Sequence, residues 1–117
     1  MSKRSLIIGG SSGIGRATAE NLLKEGVEVH IVGTNEKKLS SFQKEVSGKL
    51  YLHKVDITDM NQVANLNQTI NSLDNLDYLV NASGIFGLKS FLDHTIVDYD
   101  SYQDLNRGFF FINQVAL

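Results

Sequence analysis

The feature that most restricts the fold of this sequence is an aliphatic run, residues 6–8, that leads directly into a glycine-rich turn. The run predicts a buried strand, because parallel strands covered on both faces are continuously apolar. A helical pattern follows at about residues 13–25, and the first amides of a helix are unpaired and lie at its positive end. Strand, turn and helix therefore predict an anion site that suits a pyrophosphate. The same pattern is also compatible with a tight turn that holds no ligand.

The rest of the chain continues as alternating strands and helices. Further strands are expected at residues 27–32, 50–55 and 76–81. The helices between them would be capped by Thr34 or Asn35 and by Asp59, and a last helix would begin near Asp100 or Ser101. This order predicts an α/β fold, a Rossmann-type doubly wound parallel sheet with the strand order 3-2-1-4. No strand is predicted beyond the fourth, so the sheet would be incomplete on its C-terminal side.

Length and composition narrow the class of protein. The 117 residues predict one dinucleotide-binding domain over 1–117, and 42% hydrophobic with 21% charged residues is typical of soluble globular proteins. A net charge of -2 argues against a nucleic-acid partner, and no apolar run is long enough to cross a membrane. The absence of cysteine excludes disulfides and thiolate chemistry. We expect a cytoplasmic protein with no metal site.

The glycine spacing resembles that of one enzyme family. The glycines read Gly9-x-x-x-Gly13-x-Gly15 rather than G-x-G-x-x-G, and this is similar to the T-G-x-x-x-G-I-G of the short-chain dehydrogenase/reductase family, with Ile8 in place of Thr. Residues 77–84 resemble the family's D-x-L-V-N-N-A-G, and residues 105–108 its helix-borne asparagine. The resemblance covers the whole chain, but only about the first half of a family member.

This resemblance implies a cofactor site along the carboxyl ends of the strands. The residues that would hold the pyrophosphate and ribose are Gly9, Ser11, Ser12, Gly13, Ile14 and Gly15. Asp56 and Ile57 would face the adenine, whereas Asp56 taken by itself is better explained as a loop cap. The residues that would lie against the inner ribose are Asn81, Ala82, Ser83 and Gly84; of these, Asn81 has an alternative role in stabilising the sheet.

The end of the second strand bears on the choice between NADP and NAD. An acidic residue at this place would accept hydrogen bonds from the ribose 2′-OH of NAD, but Thr34 and Asn35 follow Gly33 here. Both can donate to a 2′-phosphate, and Arg16, Lys37 and Lys38 could add positive charge. NADP is therefore favoured, with NAD still possible. The alternative for the two lysines is a solvated helix face.

The resemblance also implies a hydride transfer between the nicotinamide and a carbonyl or alcohol substrate. Asn106 matches the family's asparagine that binds a water linked to the catalytic lysine; its alternative is a polar residue on an exposed face. The family's Tyr-x-x-x-Lys pair is absent. The residues four positions after the four tyrosines are Val55, Ala82, Gln103 and Asn106. The chain would thus be inactive alone.

Two other classes of function remain open at this point. One is a non-catalytic dinucleotide-binding or sensing module, and the other is a structural domain without a ligand. The apolar end of the last helix, residues 109–117, predicts burial or association. By family resemblance we expect a homo-oligomer, a dimer or tetramer, in the full-length form.

Overall fold

The computed structural model describes residues 3–83 and 90–116. Four parallel strands form one sheet in the order β3-β2-β1-β4, so the predicted strand order is confirmed. The strands are β1 (Arg4–Ile8), β2 (Glu28–Gly33), β3 (Leu50–Lys54) and β4 (Tyr78–Asn81). The helices are α1 (Gly13–Lys24), α2 (Glu36–Glu45), α3 (Met60–Ser72) and α4 (Ile96–Ala116), with a short 3-10 turn at Phe91–Asp93.

The register of the sheet brings its carboxyl ends together. Ile8 at the end of β1 lies between Val32 of β2 and Asn81 of β4. The chain leaves β1 at this point through the glycine turn and enters α1. Ligands of open α/β sheets bind outside this edge, next to the strand where the chain order reverses. In this sheet that strand is β1, since β2 and β4 lie on either side of it.

Alternating side chains of the strands divide the core between the two faces of the sheet. One face packs against α1 and α2, and its buried residues are Ile7, Ala19, Leu23, Val27, Val29, Ile31, Leu39 and Phe42. The other face packs against α3 and α4, and its buried residues are Leu6, Ile8, Val32, Ile57, Val63, Leu66, Ile70 and Ile112. The sheet is therefore covered from both sides, as its apolar strands predict.

Helix α1 faces the sheet with small residues. Its buried positions are Gly15, Ala19 and Leu23, which lie four residues apart on one stripe. Ile14, by contrast, is 82% exposed. The turn before the helix fixes its rotation, so that Gly15 lies against the sheet edge and Ile14 is turned outward. Ile14 thus becomes available to a ligand at this edge.

The last helix begins earlier than the sequence pattern suggests. We expected a start near Asp100 or Ser101, and this was wrong, because α4 begins at Ile96. The cause is a capping box: the Thr95 amide donates to the Asp98 carboxylate over 2.8 Å, and the Asp98 amide donates to the Thr95 hydroxyl over 3.2 Å. The apolar residues of this first turn are exposed, so their pattern does not indicate a helix.

The two earlier helix starts agree with their expected caps. The Asn35 side chain accepts a hydrogen bond from the Lys38 amide over 3.0 Å at the start of α2. Asp59 does the same for the Asn61 amide over 3.0 Å at the start of α3. Both caps satisfy amides that the helix itself leaves unpaired. They also fix the directions in which the chain leaves β2 and β3.

Candidate cofactor site

A cleft with a volume of about 380 Å³ lies at the carboxyl edge of the sheet. It is bounded by the ends of β1 and β2, the start of α1, and the segments that follow β3 and β4. The lining residues are Ile8, Gly9, Ser11, Ser12, Gly13, Ile14, Val32, Gly33, Thr34, Asn35, Lys38, Ile57, Ala82 and Ser83. Most of the residues that the sequence singles out for a cofactor therefore come together here.

Two glycines of residues 9–15, a segment that we call the glycine cradle, are packed tightly against their surroundings. The Gly9 amide donates to the Val32 carbonyl over 2.8 Å. Gly9 has a φ of +85°, and a Cβ on it would lie 2.6 Å from the Ser83 nitrogen. A Cβ on Gly15 would lie 2.1 Å from the Gly9 carbonyl oxygen. These two glycines are thus required by contacts of the chain with itself.

Gly13 differs from these two glycines. Its φ is +58°, which favours glycine, but a Cβ there would have no described atom within 4 Å. The chain is therefore open on this side, at the first residue of α1. Helix amides in this position present hydrogen-bond donors and positive potential to an anion. Ser12 precedes them as the N-cap, with an extended backbone, and Ser11 is buried beneath.

The end of β2 contributes Thr34, Asn35 and the first turn of α2. Thr34 and Asn35 are exposed and line the cleft, as does Lys38 from the first turn of α2. The carbonyl oxygen of the Asn35 side chain is engaged in the cap of α2, which leaves its amide nitrogen as the group that can donate to a ligand. The Glu36 carboxylate lies 3.5 Å from the Lys54 ammonium. Glu36 is absent from the residues that line the cleft.

The three cations proposed from the sequence have different positions. Arg16 is ion-paired with Glu20, over 3.2 Å, and with Glu45, and its guanidinium lies over the Phe42 ring. These carboxylates raise the pKa of Arg16 and hold its charge between α1 and α2. Lys37 lies on the outer side of α2. Among the three, only Lys38 lines the cleft, and the contribution of Arg16 and Lys37 to the charge there stays a prediction.

The two residues expected at the adenine follow β3, and their side chains have different surroundings. Ile57 lines the cleft and is 6% exposed. The Asp56 carboxylate instead accepts hydrogen bonds from the Thr58 amide, over 3.0 Å, and from the Thr58 hydroxyl, over 2.6 Å. Asp56 therefore has a structural role in this loop, which was the alternative that the sequence left open. Its part in ligand binding stays a prediction.

The segment after β4 closes the opposite wall of the cleft. The Ala82 amide donates to the Ile8 carbonyl over 2.7 Å and extends the pairing of β4 with β1. Ala82 and Ser83 line the cleft, whereas Asn81 is exposed at the end of the strand. Gly84, the last residue expected at the inner ribose, lies outside the described residues.

Asn106 does not line the cleft. It is exposed in the middle of α4. Two residues further on, Gly108 is buried, and a Cβ on it would lie 2.0 Å from the Ile57 carbonyl oxygen. Gly108 therefore allows α4 to approach the loop that supplies Ile57 to the cleft. A glycine inside a helical pattern is the sequence signal of such a close contact, and our reading of the sequence did not use it.

Over residues 3–83 and 90–116, no group of three or more histidine or carboxylate side chains is placed to hold a metal ion. Within the same ranges, no helix combines the length and the apolar character that a bilayer crossing requires.

Comparison with known proteins settles the family. The model of the short chain dehydrogenase family matches residues 3–117. The chain belongs to this family. Its parallel sheet, in the order β3-β2-β1-β4 with helices on both faces, matches solved structures of this family, which is a family of oxidoreductases.

Individual relatives support the same assignment. The chain is 33% identical over 122 residues to a 3-oxoacyl-[acyl-carrier-protein] reductase, FabG, of Aquifex aeolicus, which covers 98% of this chain and 49% of that protein. It is 32% identical over 106 residues to the uncharacterized oxidoreductase YvrD of Bacillus subtilis, covering 89% of this chain and 40% of that one. A crystal structure of a short-chain type dehydrogenase/reductase from Mycobacterium marinum superposes with a TM-score of 0.83 at 31% identity.

The alignments cover nearly all of this chain but only about half of each relative. The Mycobacterium marinum structure matches 97% of this chain but only 48% of its own. This short-chain dehydrogenase chain spans about half the length of the curated relatives it matches. The other half of those relatives has no counterpart in the 117 residues of this sequence.

Proposed function

We propose that this chain is the cofactor-binding half of an oxidoreductase that transfers a hydride between NADP(H) and a carbonyl or alcohol substrate. The observation that carries the proposal is the cleft at the carboxyl edge of the sheet, which the glycine cradle and the start of α1 border. Its volume of about 380 Å³ lies within the range of small-molecule sites. The family relationship supports the oxidoreductase class.

The residues of the cleft fit a dinucleotide. The open side of Gly13 and the first amides of α1 suit the diphosphate. Ile57 offers an apolar contact for a purine ring, and Ala82 with Ser83 forms the wall that would lie against the inner ribose. When bound, the nicotinamide group would supply or accept the hydride. The chain itself binds and orients the cofactor.

The preference for NADP rests on the charges at the end of β2. No carboxylate is among the described residues that line the cleft, and Lys38 supplies a positive charge. A 2′-phosphate at Thr34 would therefore meet donors and a cation rather than a like charge. An acidic residue, which would favour the free 2′-OH of NAD, does not occupy this place.

A charge inserted at this position tests the cofactor assignment. We expect Thr34→Asp to lower the affinity for NADPH by about tenfold or more, because a carboxylate would repel the 2′-phosphate. The affinity for NADH should stay the same or rise. Isothermal titration of both cofactors measures the two effects. Ser40→Asp, which adds the same charge on the outer side of α2, is the control and should leave both affinities unchanged. Equal losses for both cofactors would contradict the NADP preference.

A second variant tests the cation. Lys38→Gln should weaken NADPH several-fold and leave NADH unaffected, since the lysine would contact only the 2′-phosphate. Lys37→Gln is the matched control, because Lys37 lies on the other side of the same helix turn. If the two variants behaved alike, Lys38 would have no special role in the cleft.

A non-catalytic dinucleotide-binding module is the second candidate function. Within these 117 residues none of the four tyrosines is followed by a lysine four residues later, and a whole protein that also lacked this pair would bind the cofactor without transferring a hydride. Both candidates predict NADPH binding. Only the first predicts that the whole protein oxidises NADPH with a β-keto ester as carbonyl probe, followed by absorbance.

We also propose that the whole protein is a homo-oligomer located in the cytoplasm. Support for association comes from α4, where Phe110 is 62% and Phe111 38% exposed. Apolar residues that lie together on a surface favour contacts with another protein surface. Sedimentation equilibrium on the whole protein would give a monomer if this proposal is wrong.

A further inference from the structure

A row of polar side chains crosses the sheet on the face that packs against α3. Arg4 of β1 is ion-paired with Glu28 of β2. The Glu28 carboxylate lies 2.9 Å from His30 Nε2, and His30 Nδ1 lies 2.9 Å from His53 Nε2 on β3. His30 is only 5% exposed. The row therefore links three strands through a buried imidazole with a partner at each ring nitrogen.

The proton count of this row is fixed by its geometry. The ionised Glu28 carboxylate can only accept, so His30 Nε2 carries a hydrogen. Between His30 Nδ1 and His53 Nε2 one nitrogen has to donate and the other to accept, so this contact holds a single hydrogen. When both rings are protonated, every ring nitrogen carries a hydrogen, so two N–H groups face each other at 2.9 Å and two positive charges lie side by side.

The surroundings do not compensate a second charge. Glu28 is already shared between His30 and Arg4, and Asp74 and Asp77 lie on the far side of Arg4. On β3, the Tyr51 ring stacks on His30 at 4.7 Å, and the residue before this strand, Lys49, is a cation. Helix α3, over residues 60–72, has no ionisable side chain.

We propose that the contact between His30 and His53 is a pH-operated latch. It holds the edge strand β3 on β2 and opens when both imidazole rings are protonated. Strand β3 pairs only with β2 in the described sheet. Its attachment therefore depends on the contacts between these two strands, and the histidine pair is the one that changes with pH near neutrality.

The direction of the pH effect follows from His53. Burial, and then the charge of His30, lower the pKa of His53 below its ordinary value of 6.5. The unfolded or opened strand therefore takes up the proton first, so the stabilisation is complete above pH 6.5 and is lost as the pH falls below it. Arg4 lowers the pKa of Glu28, and the stability linked to that carboxylate is lost only below 4.5. The two effects occupy separate pH ranges.

Opening of the latch would also change the structure of the cleft. The Val55 amide, just after β3, donates to the Gly33 carbonyl over 3.0 Å, and Ile57 follows two residues later. Release of β3 would therefore loosen the wall that Ile57 provides. This consequence rests on the proposed function, whereas the latch itself does not.

Hydrogen exchange of the β3 amides, residues 50–54, tests the latch in the whole protein between about pH 7.5 and pH 5. Relative to intrinsic rates, we expect exchange to rise by about tenfold for each pH unit between 6.5 and the lower pKa of His53. His53→Gln should abolish this rise, because the glutamine amide can still donate to His30 Nδ1 but does not titrate. His94→Gln is the matched control, since His94 is the remaining histidine of the chain and lies exposed in a loop.

Three outcomes would overturn the latch: no rise with falling pH, the same rise in His53→Gln as in the wild type, or loss of the rise in His94→Gln. An NMR titration of the wild type gives a test that needs no variant. The His53 ring should titrate below 6.5, and titration at or above that value would contradict the proposal.

NADPH titration over the same pH range separates the two proposals. A loss of affinity that follows β3 exchange, and is absent in His53→Gln, supports the link between latch and cleft. If NADPH fails to bind at every pH while β3 exchange still responds, the proposed function fails and the latch stands. If NADPH binds and β3 exchange does not respond, the latch fails alone.

Discussion

The glycine cradle and helix α4 are both associated with the family's chemistry, yet they are built in opposite ways. The cradle spans a few consecutive residues, and its glycines are held by contacts with Val32, Ser83 and one another. Helix α4 is anchored by Gly108 and Ile112 on one side, while Asn106 and Phe110 lie exposed on the other. The cradle is thus held in place by contacts of the chain with itself, whereas the helix that carries Asn106 presents much of its surface to solvent.

This difference determines where substitutions should lower the unfolding free energy most. A change at Gly9 or Gly15 of the cradle affects backbone contacts that have no room to adjust, because both partners are fixed at the sheet edge. A change on α4 acts either on the side that packs against the Ile57 loop and α3 or on an exposed surface. The four predictions below test this contrast and run from the largest expected effect on stability to the smallest.

Gly15→Ala should have the largest effect. Its Cβ would lie 2.1 Å from the Gly9 carbonyl oxygen, and overpacking of this kind costs about 2–3 kcal/mol of unfolding free energy. Urea denaturation measures the loss. Gly13→Ala is the matched control in the same helix turn: it has open space and a φ of +58°, and backbone strain alone costs about 1 kcal/mol. Equal losses in the two variants would show that the cradle is not held by the contact of Gly15.

Gly108→Ala tests the corresponding contact of α4. The Cβ would lie 2.0 Å from the Ile57 carbonyl oxygen, but the helix is exposed on its other side and can shift outward. Alanine also favours the helix by about 1 kcal/mol, so we expect a net loss of about 1–2 kcal/mol in urea denaturation. The shift should displace Ile57 and weaken NADPH. A loss larger than that of Gly15→Ala would reverse the comparison between the two regions.

Thr95→Ala should destabilise the protein by about 1 kcal/mol, because it removes the hydroxyl that caps the Asp98 amide at the start of α4. Thermal unfolding followed by circular dichroism measures the change. Thr95→Ser keeps the hydroxyl and is the control. If both variants were as stable as the wild type, the early start of α4 would not depend on this capping box.

Asn106→Ala should change the unfolding free energy by less than about 0.5 kcal/mol, since the side chain is exposed. If Asn106 has the role that the family resemblance implies, NADPH oxidation by the whole protein falls by at least about tenfold while NADPH affinity is kept. Gln103→Ala, another exposed position of α4, is the control. A large loss of stability, or unchanged turnover, would remove Asn106 from the proposed machinery.

Much of the fold was predictable because its signals are local. The aliphatic run of β1, the glycines at 9, 13 and 15, and the caps at Asn35 and Asp59 each specify nearby backbone, and the structure confirms the strand order and both caps. The start of α4 was missed because its first turn is exposed and apolar, so the capping box of Thr95 and Asp98 was the only local signal.

The sequence by itself determined the order of the elements and the glycine turn, since backbone preferences and apolar periodicity act between residues close together in the chain. Only the tertiary structure decided how the charges are used. Arg16 and Lys38 look equally available in the sequence, but Glu45 and Phe42, both distant in the chain, hold Arg16 between two helices. The same is true of His30 and His53, because a contact between strands depends on register, and register is fixed by the packing of the whole sheet.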